Sequence, residues 1–234
     1  MHYKYLPLLT FFLFCISCQN TTSTPPTKGK VAEATETRPP PSGSKETGNR
    51  EKKVVLFFGN SLTAGLGVDP QDAFVGLLGK KMEGLGMPYT AINSGVSGET
   101  TAGGLGRINW ILEQYEPAVF VLELGGNDAL RGVDPAASHK NLQGIIDEVK
   151  KKYPKTPIVL AGMEAPPNMG EVFRNSFRKV YKDLAQNNDL LLIPFLLDGV
   201  GGVADLNQKD GIHPTEEGHK VVAEVIWKTL KKAL

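Results

Sequence analysis

The segment Asp210-Gly211-Ile212-His213 sets a carboxylate three residues ahead of an imidazole, with a glycine between them to make the turn. One loop can therefore carry a base and the acid that orients it: Asp210 would hold Nδ1–H and leave Nε2 for the proton of a hydroxyl. Gly59-Asn60-Ser61-Leu62-Thr63-Ala64-Gly65 offers that hydroxyl. Ser61 stands where an apolar run gives way to a Gly-bearing turn, and a serine Oγ needs such a base to become a nucleophile. Thr63 occupies the place of the second glycine of a Gly-x-Ser-x-Gly elbow, so this is a different turn. Two further clusters could stabilise an oxyanion. Gly98, in Asn93-Ser94-Gly95-Val96-Ser97-Gly98-Glu99-Thr100-Thr101, precedes a helical stretch and can present a bare backbone N–H, while Asn127 in Gly125-Gly126-Asn127-Asp128 offers uncharged N–H donors.

Each cluster also has a plainer reading. The loop 59–65 could cradle a phosphate or merely cap a helix, Asp128 could simply hold a turn, and Asp210–His213 could be a surface turn ahead of a helix. Of the four histidines, His2 lies in an apolar leader, His139 on a polar helical face and His219 about one turn into the last helix. Asp210, His213 and His219 could be read as metal ligands, but no further histidine is placed to complete that set.

What could bring the four clusters together is the order of elements. Val54–Phe58, Tyr89–Asn93, Ala118–Leu124, Pro157–Ala161 and Leu190–Pro194 read as short apolar strands. Helical stretches at Gln71–Leu85, Thr101–Gln114, Ala136–Lys152 (opened by Pro135) and Glu171–Gln186 fall between them, and a last helix starts at Pro214. This alternation predicts an α/β fold: a three-layer α/β/α sandwich with a five-stranded parallel sheet and right-handed crossovers. Ligands in such sheets bind beyond the carboxyl ends of the strands, and all four clusters follow strand ends there.

The 234 residues carry 26 Lys+Arg against 25 Asp+Glu, a balance that gives no field for gathering nucleic acid. Both cysteines, Cys15 and Cys18, lie near the start, so nothing downstream can form a disulfide framework or a thiolate metal site. Residues 1–18 hold an apolar run, Leu6–Ile16, too short to span a bilayer and suited to a signal peptide. Cys15-Ile16-Ser17-Cys18 resembles a bacterial lipobox, with Cys15 where leucine is usual; this implies a lipid on Cys18 and a cell-envelope location, facing periplasm or exterior. An ordinary secretory signal or an uncleaved anchor fits the same residues. Residues 19–51 have almost no large apolar side chain and read as a disordered tether with a reach of roughly 30 Å. Residues 52–234 form the folded domain, expected to be a monomer.

With its clusters in this chain order, the sequence resembles the SGNH hydrolases of the GDSL lipase/esterase superfamily. The four blocks stand as Gly59-Asn60-Ser61-Leu62, Ser97-Gly98-Glu99-Thr100, Gly125-Gly126-Asn127-Asp128 and Asp210-Gly211-Ile212-His213. The resemblance implies the flavodoxin-like form of the sandwich, no cofactor or metal, and a serine esterase working through an acyl-enzyme. It assigns Ser61 as nucleophile, His213 as base, Asp210 as its partner, and the Ser61 N–H, Gly98 N–H and Asn127 amide as oxyanion donors. Asn60 departs from the usual Asp, a turn-supporting position, and gives the alternative of a non-catalytic acyl- or glycan-binding envelope lipoprotein its one sequence support. Asn60–Gly65, Gly126–Gly132 and Asp210–Pro214 are most similar to the periplasmic thioesterase/arylesterase/lysophospholipase branch, which implies small ester, thioester or lysophospholipid substrates. In that branch the loop matching Glu164–Gly170 borders the acyl pocket, so Pro167 and Asn168, with Leu62 and Ile212 inside the blocks and Leu130 just after one, are the expected substrate contacts.

Overall fold

The computed structural model describes residues 52–234. The signal segment 1–18, with Cys18, and the tether 19–51 lie outside the described residues. Five parallel strands form one sheet: β1 (Lys53–Gly59), β2 (Tyr89–Gly95), β3 (Pro117–Glu123), β4 (Ile158–Ala161) and β5 (Leu191–Ile193), in the order β2-β1-β3-β4-β5. Among the described residues, seven α-helices connect or follow them: α1 (Ser61–Ala64), α2 (Phe74–Gly84), α3 (Thr101–Gln114), α4 (Gly126–Leu130), α5 (Pro135–Lys152), α6 (Glu171–Asn188) and α7 (Glu216–Leu230). This is the predicted α/β/α sandwich, and the strand order is the flavodoxin one.

Alternation along β1 shows how the layers form. Phe57 meets Phe74 of α2 edge-on, whereas its neighbour Phe58 lies against Phe120 of β3 and close to Gly104 of α3. Helices α2 and α7 pack together on one face, and α3, α5 and α6 form a continuous layer on the other. Both faces of the central strands are covered, so Val55, Leu56, Phe58, Val119, Phe120 and Leu122 have no exposed surface.

Two short helices, α1 and α4, have no counterpart in the sequence reading. Four or five residues are too few to show a 3.6-residue period, yet these helices carry Ser61 and Asn127. The last helix starts later than expected. Pro214 pairs with Asn207 in an isolated antiparallel bridge, and Thr215 caps α7 by accepting from the Gly218 N–H at 3.3 Å. Pro135 does stand in the first turn of α5, after an Asp134 cap.

His219 lies buried on α7 against the Phe74 ring, with Nδ1 accepting from the Phe74 N–H at 3.3 Å. It is therefore part of the core and not a partner for Asp210. Burial, with a smaller contribution from His213, lowers it from 6.5 to about 4. The unfolded chain takes up this proton first, so stability is lost as pH falls from about 6.5 towards 4. Glu123, raised by burial to about 7, contributes with the opposite sign over much of this range. The test is therefore the difference between two proteins: as pH falls through the window the parent should lose more melting temperature, or gain less, than His219→Gln, and equal slopes would remove His219 as the cause.

Candidate active site

The crossovers from β1 and β3 leave in opposite directions, and the crevice between their carboxyl ends receives the clusters. Ser61 is the first residue of α1, immediately beyond β1. Asn60 caps that turn: its Oδ1 accepts from the Leu62 N–H at 2.9 Å. Asn at this position thus does the turn-holding work required of it.

The loop after β5 reaches back across the crevice. His213 Nε2 lies 2.8 Å from Ser61 Oγ, and His213 Nδ1 lies 2.7 Å from Asp210 Oδ2. Asp210 Oδ1 accepts from the backbone N–H groups of Ile212 (2.9 Å) and His213 (3.0 Å), so the carboxylate fixes the loop as well as the ring. The His213 side-chain bond first, then these two N–H groups, lower Asp210 to about 2, which keeps it ionised. Gln208 moors the loop: its Nε2 donates to the Leu66 carbonyl, just past α1, at 2.7 Å and to the Pro214 carbonyl at 2.9 Å.

Two of the three candidate donors, Gly98 and Asn127, come from the other side. Gly98 has φ +80°, a conformation that favours glycine, and its N–H has no protein acceptor among the described residues. One hydrogen of the Asn127 amide goes to the Glu99 carbonyl at 2.9 Å, leaving the second for a ligand, and Arg131 donates to the Gly98 carbonyl at 3.1 Å. The Ser61 N–H opens a helix, where intrahelical acceptors are lacking. Asn127 depends in turn on Gly125, at φ +115°, where a Cβ would collide with Tyr181 Oη, whose hydroxyl holds the Leu124 carbonyl at 2.9 Å. Asp128 is buried and ties α3 to α5 by accepting from the Thr101 N–H (2.9 Å) and Ser138 Oγ (3.2 Å).

Residues 57–221 match the GDSL-like lipase/acylhydrolase family. The chain belongs to that family. The esterase TesA of Pseudomonas aeruginosa is 39% identical over 182 residues, covering 78% of this chain and 90% of that one. The thioesterase 1/protease 1/lysophospholipase L1 of Escherichia coli K12 is 32% identical over 178 residues, covering 76% and 83%. A crystal structure of TesA superimposes with a TM-score of 0.75 at 38% identity, covering 78% of this chain and all of that chain. Family membership agrees with the fold and with the branch the motifs resemble.

Among the expected substrate contacts of this family member, Leu130 and Ile212 are exposed, and Pro167 and Asn168 lie exposed in a 3-10 turn. Leu62 is instead buried, within the hydrophobic core. Sequence reading missed the residues that join the clusters. Arg107 of α3 grips Glu99 through Nε and Nη2, both at 2.6 Å. The same guanidinium donates to Ser94 Oγ (2.9 Å), the Ser94 carbonyl (2.8 Å) and the Gly59 carbonyl (3.3 Å), and stacks on Phe58. A strand end, a neighbouring strand end and the Gly98 loop are thus held by one side chain. Glu99→Gln should leave that guanidinium without its charge partner and lower unfolding stability in urea by roughly 2–4 kcal/mol, since removing one member of a largely buried pair strands the other. A loss below about 0.5 kcal/mol, the level of an exposed pair, would contradict this assignment.

Proposed function

We propose that the protein is a serine carboxylic ester hydrolase that transfers an acyl group from an ester or thioester to water. The observation that carries this reading is the Ser61–His213–Asp210 chain of contacts, 2.8 and 2.7 Å long, assembled from two loops on one sheet edge. His213 Nε2 takes the Ser61 proton while Oγ attacks the carbonyl carbon, and the carbonyl electron pair moves onto oxygen. The Ser61 N–H, Gly98 N–H and Asn127 Nδ2 receive that oxyanion. Collapse expels the alcohol or thiol, protonated by His213; water then repeats the sequence on the acyl-enzyme and releases the acid.

The names of the relatives support esters, thioesters and lysophospholipids as the substrate range. Exposed Leu130 and Ile212 beside the site, and the apolar Pro166, Pro167 and Met169 of the loop 164–170, support an acyl chain as the recognised part. A lipid on Cys18, and through it a cell-envelope location with residues 19–51 as tether, completes the proposal on the strength of the sequence alone.

On a p-nitrophenyl short-chain ester, Ser61→Ala and His213→Ala should each lower kcat by a factor on the order of 10⁶. Asn127→Ala should cost roughly 10²–10³, the usual effect of one lost oxyanion donor. A Ser61→Ala protein that keeps most of its turnover would end the proposal. In fractionated cells, Cys18→Ser should move the protein from membrane to soluble fractions; unchanged membrane association would count against the anchor.

A further inference from the structure

Strand β3 is apolar but for one carboxylate, Glu123, which is 1% exposed. An ionisable side chain so enclosed requires partners, and those of Glu123 all lie in the turn that carries Ser61. The Asn60 N–H donates to Oε2 at 3.1 Å, Thr63 Oγ1 donates to the same oxygen at 2.8 Å, and Asn60 Nδ2 donates to Oε1 at 2.7 Å. The residues gripped stand on both sides of Ser61. Gly59 completes the fit, because a Cβ there would collide with both Thr63 Oγ1 and Glu123 Oε2.

The polarity of this arrangement is fixed. Asn60 Oδ1 is committed to the Leu62 N–H, so the amide cannot turn over and Nδ2 must face Glu123. The backbone N–H of Asn60 can only donate. Two fixed donors therefore demand an acceptor at each carboxyl oxygen. Burial pushes the Glu123 carboxyl up to about 7, against the pull of Thr63 and Asn60. The protonated form keeps the same grip, since its O–H can point to Thr63 Oγ1 while Oε2 still accepts from the Asn60 N–H. An amide at position 123 cannot do this. Its nitrogen has no lone pair, and at either site it sets donor against donor.

We propose that Glu123 is a positioning residue for acyl transfer: by accepting from Asn60 and Thr63 it holds the turn in which Ser61 Oγ meets His213 Nε2. This rests on the acyl-transfer reading of the site. Glu123 touches neither the reacting atoms nor the substrate and acts through its neighbours. Its partner Asn60 is matched to it, and the match is reversible. A carboxylate at position 60 can accept from the Leu62 N–H with one oxygen and from an amide at position 123 with the other. The oxygen of that amide then takes the backbone N–H of residue 60 and the Thr63 hydroxyl.

The test is steady-state kinetics on the p-nitrophenyl ester, with melting temperature as a check on folding. Glu123→Gln should lower kcat roughly 10- to 100-fold with KM little changed, the signature of a displaced nucleophile. Asn60→Asp/Glu123→Gln should bring kcat back to within about threefold of the parent, because the two changes share one network and cannot be additive. An unchanged kcat in Glu123→Gln, or a paired variant no better than the single one, overturns the proposal. Should Glu123→Gln fail to fold, the paired variant decides alone: folded and active supports the match, and any other result overturns it. A parent protein with no turnover fails the acyl-transfer reading and this proposal with it, whereas an active parent with an impaired paired variant fails this proposal only.

Discussion

The gap between the carboxyl ends of β1 and β3 is the constraint round which the rest of the domain is arranged. Gly59 pairs with Gly95 on one side and Glu123 on the other, so three strands end in register. The chain then leaves β1 towards β2 and β3 towards β4, in opposite senses. Nothing in the sheet fills the space between, and the short turns α1 and α4 face each other across it. Two short turns facing one crevice follow from topology; that one carries Ser61 and the other Asn127 is the contribution of the sequence.

Keeping two banks apart at a working distance is a polar task inside an apolar molecule. Arg107, Glu99, Glu123, Asn60 and Asp128 form bonds that join the banks to each other and to the helices behind them. Each of these groups would be costly if left unpaired, and that cost makes the arrangement specific: few other packings satisfy them all. The third component, the His213 loop, is held more lightly. Asp210 is exposed, and the loop is fixed by Gln208 and by the bonds Asp210 makes to its own backbone.

The sequence revealed what depends on type and period. Five apolar runs separated by amphipathic helices sufficed for the sheet, and the Asp210–His213 spacing picked out one histidine of four, because a three-residue separation across a glycine is a local property. Long-range partners left fainter traces. Glu123 was visible as a lone carboxylate in a buried strand, a signal that could have been used. Arg107 sits in a Gly-rich helix with nothing nearby to mark it, and Gln208 looks like any loop residue until the fold sets it against Leu66. Leu62 has neighbours in the chain that suggest a substrate contact, whereas its own helix turns it into the core.

Covalent labelling asks most directly whether hydroxyl, imidazole and carboxylate act as one unit. The folded protein should be exposed to an organophosphonate and its peptides mapped by mass spectrometry. A single adduct on Ser61, absent from urea-unfolded protein and from His213→Ala, is the expected result. No adduct, or one on Ser94 or Ser97 with Ser61 untouched, would contradict the account.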